Sequence, residues 1–295
     1  MTDEMKLTHT IALLGGDLRQ LAAADALRAA GYRVTLSGFD AEAGTENLPL
    51  AEALAEAEVL LLPLPTIRHD RINLPFSDER LTVSALLTWL TANRPPHLTQ
   101  VFGGVIPAAL TEGLRALGLR VTDLCSEERF NLLNAVPTAE GALAEAMRHL
   151  DITLYGAEAA VLGFGRIGKV LCRSLHALGA KVTAVARRER DRTEAELCGY
   201  RALSYREVPA AASRLDVIFN TVPSPVLTEP ILSQLPKKCI VIDLASFPYG
   251  VDADAALRHG VCVIHALSLP GKVAPITAGR IVARCVCEKL KEAEE

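Results

Sequence analysis

The chain has 295 residues, a formal net charge of −4 and a pI near 6.0; half of it is hydrophobic and only 4 % aromatic. Mild acidity excludes a nucleic-acid binder, which carries a basic stripe. No apolar run reaches the roughly 18 residues that a membrane helix requires. A length of about two ordinary domains, with a core of Ala, Leu and Val, points to a layered α/β protein rather than a β-sandwich.

The opening stretch, MTDEMKLTHT, has no apolar h-region, so no secretory signal is expected. The first strand is predicted at 10–14. The turn of Gly15, Gly16 and Asp17 and a helix containing Leu18, Leu21, Ala24 and Leu27 follow. Further strands are predicted at 34–36, 59–62, 100–102 and 119–121, with helices at 78–91 and 107–117. A linking helix is predicted at 137–150, with Pro137 in its first turn.

A second series has strands at 159–162, 181–186, 217–220, 240–243 and 261–265. Its helices are expected at 166–178, 205–212, 229–235 and 251–258, and a final helix at 275–291. Alternating β and α segments build parallel sheets with right-handed crossovers. The expected architecture is therefore two Rossmann-like, doubly wound parallel-sheet domains with an inter-domain cleft. One comprises 1–136 plus 275–295 (flavodoxin/Rossmann-like, the substrate domain). The other comprises 137–274 (the dinucleotide domain). The cleft is where a ligand is expected.

Gly163-Phe164-Gly165-Arg166-Ile167-Gly168 is a G-x-G-x-x-G that follows an apolar strand and opens a helix. Gly163 suits the tight turn and Gly165 the approach of a pyrophosphate, while Gly168 lets the helix pack on the strand. The negative charge then faces the helix N-terminus. The following strand ends in Arg187 and Arg188, where an NAD site places an acid for the ribose 2′-hydroxyl. Arginine there favours the 2′-phosphate of NADP over NAD, although NAD stays possible. Thr221, Val222 and Pro223 follow the next strand and are expected beside the bound cofactor, with Thr221 as a hydrogen-bonding group.

Gly15-Gly16 with Asp40 imitates a second dinucleotide site but lacks the third glycine. This turn is read instead as offering backbone N–H groups to a carboxylate. Two Pro-containing loops, from Asn134 to Gly141 and from Leu269 to Pro275, are each expected to lead into a helix N-terminus. There Asn134 and Thr138 are either anion ligands or helix caps, and Glu140 is either a site residue or a first-turn dipole partner. His265 is read as structural. The seven scattered cysteines, Cys125, Cys172, Cys198, Cys239, Cys262, Cys285 and Cys287, include no C-x-x-C. They are read as reduced thiols in a cytosolic protein, with no metal site.

Taken in order, several segments resemble the dipicolinate synthase A-subunit family over essentially the whole length. They are Leu14 to Asp17 with Arg19-Gln20, Gly38-Phe39-Asp40, Pro137 to Gly141, Val161 to Gly168, Asn220 to Ser224, Asp243 to Ser246 and Leu269 to Pro275. One departure is Phe247-Pro248-Tyr249-Gly250, where the family carries a basic residue and then Pro-Gly-Gly. The resemblance implies NADP-dependent oxidation of dihydrodipicolinate, a small dicarboxylate, to dipicolinate. It places the protein in the mother-cell cytoplasm during endospore formation. Its implied partner is the flavoprotein-like B-subunit of dipicolinate synthase; a homo-oligomer is expected. Such a substrate needs two anion clamps. They are assigned to Arg19 with the Gly15–Asp17 turn, and to Thr138 with Lys272. Asn134 and Ser246 are secondary ligands, and Glu140 or Asp17 takes the proton. The alternatives are a 2-hydroxyacid-dehydrogenase-like oxidoreductase, disfavoured because Ser246-Phe247 stands where its Arg is needed, and a non-catalytic NADPH-binding regulatory subunit.

Overall fold

The computed structural model describes residues 9–42 and 46–294. The chain divides into two units, 1–134 with 274–295, and 135–273.

The first unit begins with β1 (Thr10–Leu14), α1 (Leu18–Ala29), β2 (Arg33–Ser37), α2 (Leu50–Leu54) and β3 (Val59–Leu61). A small antiparallel hairpin follows, β4 (Ile67–Arg68) and β5 (Arg71–Ile72). Then come α3 (Val83–Asn93), β6 (Gln100–Gly103), α4 (Ala108–Ala116) and β7 (Arg120–Asp123). The parallel sheet has the order β2-β1-β3-β6-β7, which is that of flavodoxin-like folds. Alternation along β1 sends Ile11 and Leu13 into one core layer and Ala12 and Leu14 into the other. All four are essentially inaccessible, and each fully buried Leu or Ile contributes roughly 1.5–3 kcal/mol.

Next comes α5 (Glu128–His149), and the boundary between the units falls inside it. The second unit contains β8 (Glu158–Leu162), α6 (Arg166–Ala177), β9 (Lys181–Val185), α7 (Glu189–Leu197) and β10 (Arg201–Leu203). It continues with α8 (Val208–Ala212), β11 (Val217–Asn220), α9 (Glu229–Leu232), β12 (Ile240–Asp243), α10 (Ala253–His259), β13 (Cys262–His265) and α11 (Leu269–Val273). Its parallel sheet runs β10-β9-β8-β11-β12-β13, the dinucleotide-binding order with its switch point between β8 and β11. The chain then returns to the first unit as α12 (Pro275–Glu294). This helix packs on α1, so closely that a β-carbon on Gly279 would meet Ala22, Ala23 and the Arg19 carbonyl at 2.6 Å.

Several expectations need correction. The linking helix begins at Glu128, so Pro137 lies inside it rather than in its first turn. Pro137 has no N–H to give the carbonyl four residues earlier; the helix continues past this missing bond. The Leu269–Pro275 loop contains the short helix α11. Helix α3 starts at Val83, with Thr82 as its cap accepting from the Ala85 N–H, and not at 78. Helices α2 and α7, strand β10 and the β4–β5 hairpin are additions that the sequence pattern does not announce. Among the described residues no helix is long and apolar enough to cross a membrane.

Candidate dinucleotide site and its surroundings

The glycine motif is the turn from β8 into α6, at the carboxyl edge of the sheet. Gly163 has φ +96° and gives its N–H to the Val185 carbonyl at 2.8 Å, tying the turn to β9. A β-carbon there would strike the Thr221 side chain, and one on Gly168 would fall on the Gly163 carbonyl. Gly165 differs: a β-carbon there would meet nothing within 4 Å. It is also the N-cap of α6 and provides no side-chain cap. The first-turn N–H groups of α6 thus lack the capping oxygen that Ser or Asp would supply, and a phosphate can fill that role. Phe164 is buried against Tyr200, and Ile167 packs on the core. Arg166 is exposed at the start of α6.

A cavity of about 380 Å³ adjoins the turn, lined by Gly163, Gly165, Arg187, Arg188, Tyr205 and Val222 among others. Arg187 and Arg188 are exposed where β9 ends, and the latter is the N-cap of α7. Arg192 fixes this bend by donating to the carbonyls of Ala186 and Arg187 at 3.2 and 2.9 Å. Burial pushes the Tyr205 phenol up to about 12, partly opposed by the Arg187 charge, so it stays protonated. Thr221 donates its hydroxyl to the Leu162 carbonyl at 2.9 Å, leaving it an acceptor for other groups. Pro223 is exposed. Open space at Gly165, an uncapped helix start and two arginines fit a dinucleotide carrying phosphates. Sequence reasoning missed Tyr205 and Asp191, which also line the cavity.

The turn after β1 is built differently. The N–H groups of Gly15 and Gly16 are spent on the carbonyls of Ser37 and Asn73 at 2.7 and 2.9 Å. Leu74 fills the space beside Gly15. These two N–H groups are therefore not offered to a carboxylate, contrary to expectation. Asp17 caps α1, accepting from the Arg19 N–H and Nε at 3.0 Å each and from Nη2 at 2.9 Å. The same Nη2 donates to the Leu64 carbonyl at 2.5 Å, and Gln20 Nε2 donates to Leu62 at 3.1 Å. Arg19 and Gln20 thereby fasten the β1 turn to the segment after β3.

Thr138 and Glu140 lie within α5, past its first turn, half-buried and exposed respectively. Neither therefore sits at a helix N-terminus, and the dipole argument for them lapses. Asn134 is half-buried in the same helix. Ser246 is exposed and its carbonyl accepts from the Tyr249 N–H at 2.9 Å. Lys272 is exposed in α11. The cysteines are free thiols; burial raises Cys125 to about 11 and Cys172 and Cys239 to about 12. Among the described residues no cluster of three or more His, Cys, Asp or Glu is arranged to hold a metal.

Two parallel α/β units, one with a dinucleotide-type glycine turn at its switch point, define the class: an NAD(P)-dependent oxidoreductase of dehydrogenase type. Comparisons with known proteins agree. Residues 10–125 match the model of the N-terminal domain of the dipicolinate synthase A-subunit, and 133–245 that of the NAD-binding domain of D-isomer-specific 2-hydroxyacid dehydrogenases. The dipicolinate synthase A-subunit of Bacillus subtilis is 30 % identical over 292 residues, covering 96 % of each chain. The crystal structure of the corresponding A-subunit from Bacillus halodurans superposes with a TM-score of 0.83 at 31 % identity, covering 96 % of this chain and 97 % of that one. A transhydrogenase from Sinorhizobium meliloti shares the fold at 16 % identity, with a TM-score of 0.68 over 96 % of this chain and 94 % of the other. The chain belongs to the dipicolinate synthase A-subunit family.

Proposed function

We propose that the chain oxidises dihydrodipicolinate to dipicolinate with NADP, in the mother-cell cytoplasm during endospore formation, with a flavoprotein-like second subunit. The substrate assignment rests on family membership. The cofactor assignment rests on one observation: Arg187 and Arg188 end β9 beside the cavity at the glycine turn. A guanidinium pairs with a 2′-phosphate, whereas the acid of an NAD site repels it.

Oxidation removes a hydride and a proton and leaves an aromatic ring, so the reaction is intrinsically downhill and the protein's main task is orientation. When bound, the nicotinamide supplies the hydride acceptor. In the second unit, the start of α6 holds the pyrophosphate, Val222 and Pro223 follow the strand next to it, and Thr221 accepts a hydrogen bond. We assign Thr138 and Lys272 to one substrate carboxylate, with Ser246 as a further ligand. In the first unit we assign Arg19 to the other, with Asn134 as a further ligand. Arg19 acts from a fixed position, because Asp17 and Leu64 already hold its Nε and Nη2. Of the two carboxylates that the sequence offers for the proton, Asp17 is engaged with Arg19 and Glu140 is exposed in α5.

Purified protein mixed with freshly generated dihydrodipicolinate and either NADP⁺ or NAD⁺, with and without the second subunit, tests the proposal. Terbium luminescence reports dipicolinate and absorbance reports reduced cofactor. Product above the spontaneous background, with NADP⁺ preferred, is expected. Cofactor binding without acceleration in any mixture overturns the catalytic reading in favour of a regulatory subunit.

A further inference from the structure

We infer that His265 receives the ring proton of the substrate and that Asp243 positions it; the inference rests on the oxidative reading above. Asn220, Asp243 and His265 occupy one register row at the carboxyl ends of β11, β12 and β13. That edge is where open parallel sheets bind their ligands.

Asp243 is fully buried, and an isolated carboxylate there would be costly. Its Oδ1 accepts from Asn220 Nδ2 at 2.8 Å and from the Ala245 N–H at 3.2 Å. Its Oδ2 accepts from the Gly250 N–H at 3.3 Å and faces His265 Nδ1 at 3.6 Å. Asn220 is itself fixed, bonded also to the backbone of Val222. The carboxylate therefore stands at the centre of a rigid set of donors, and the imidazole is the one member with access to solvent, its side chain 45 % exposed.

The segment after β12 completes the frame. A β-carbon on Gly250 would land on Asn220 Nδ2, so the backbone passes directly over the Asn220 amide. Tyr249, at φ +65°, lays its ring against His265 with centroids 4.9 Å apart. The imidazole thus lies between the Asp243 carboxylate, 3.6 Å from Nδ1 and just beyond a hydrogen bond, and the Tyr249 ring. Closing that contact to a hydrogen bond selects the tautomer protonated at Nδ1 and leaves Nε2 as the basic nitrogen. In the step, a ring C–H bond of the substrate gives its proton to Nε2 and its electron pair becomes the new ring double bond. The adjacent carbon gives up a hydride, for which an oxidised nicotinamide, when bound, would be the two-electron acceptor, and the imidazolium returns its proton to solvent.

Long-range ¹H–¹⁵N correlation spectra of the ¹⁵N-histidine-labelled protein read the tautomer without cofactor or substrate, with His265→Gln identifying the signal. His265 is expected to carry its proton on Nδ1, and Asp243→Asn to abolish that preference. If Asp243→Asn does not fold, the wild-type tautomer still decides the point. In turnover, His265→Gln should lower kcat about 100-fold or more while the substrate KM moves less than about threefold. Dinucleotide binding should be unchanged. A proton on Nε2 in the wild type, or a His265→Gln variant within about threefold of the wild-type kcat, overturns the inference and leaves the oxidative reading standing. A wild-type protein that shows the expected tautomer but never accelerates the reaction overturns both.

Discussion

The carbonyl oxygen of Gly163 occupies the position that a β-carbon on Gly168 would need. The first turn of α6 therefore rests directly on the turn leaving β8. Gly168→Ala must displace one or the other, and overpacking of this kind costs about 1–3 kcal/mol. Gly165→Ala meets no protein atom within 4 Å and should fold normally. Thermal melting with and without NADPH separates the two. Gly168→Ala should melt lower even without cofactor; Gly165→Ala should match the wild type alone but gain little from cofactor. Equal gains in the Gly165→Ala variant and the wild type would show that the dinucleotide does not approach there.

Arg187 and Arg188 line the cavity beside this turn. Substituting both with Ala should weaken NADPH about tenfold or more while NADH binding changes little. Titration calorimetry with both cofactors checks the difference. A parallel loss for both would mean that the arginines do not read the 2′-phosphate.

Arg19 is almost wholly buried, with Asp17 and the Leu64 carbonyl as its partners. Arg19→Ala leaves the Leu64 carbonyl unpaired and strips Asp17 of both guanidinium bonds, sparing only the backbone N–H of residue 19, and should cost about 2–4 kcal/mol. Denaturant unfolding is the measurement. Substrate saturation should then be compared only under conditions where the variant is fully folded.

Asp216 ties the first residue of β8 to the turn before β12: it accepts from the Glu158 N–H at 3.0 Å and pairs with Lys238 at 3.0 Å. Burial raises its carboxyl, but the Glu158 N–H and the Lys238 ammonium outweigh that and leave it below its ordinary value. A carboxyl lowered by folding stabilises the fold above its unfolded pKa, and that contribution disappears as pH falls through the lowered folded value. Asp216→Asn should therefore cost about 1 kcal/mol at pH 7 and progressively less below about pH 5. Urea melts across that range should converge; a constant gap would exclude ionisation as the cause.

Much of this organisation is legible in the residues. Strands β8 and β11 are apolar runs buried on both faces, and the glycine motif stands between a strand and an amphipathic helix, so periodicity and spacing agree there. Helix α7 escapes such reading because only Ala195 of its nine residues is buried and its one Leu, Leu197, is exposed, so no apolar stripe marks it. Tyr205 and Asp191 become visible as cavity residues only once α7 and β10 have folded around Arg187. Pro137 misleads for a different reason: proline marks a helix start by local preference, and the interior position it occupies here is a tertiary outcome. The Asp243–His265 pair joins residues 22 positions apart through strand register, which no local pattern encodes.

The second unit is one unbroken stretch, whereas the first is closed by α12, which brings Val282, Val286 and Leu290 into the core that holds Ala23 and Leu27. On the ribosome, domains ordinarily fold in the order of their synthesis. Here that order is reversed. The dinucleotide unit emerges complete while the earlier one still lacks the helix that covers α1. Until α12 has been made, the apolar face of α1 that it covers lacks this partner.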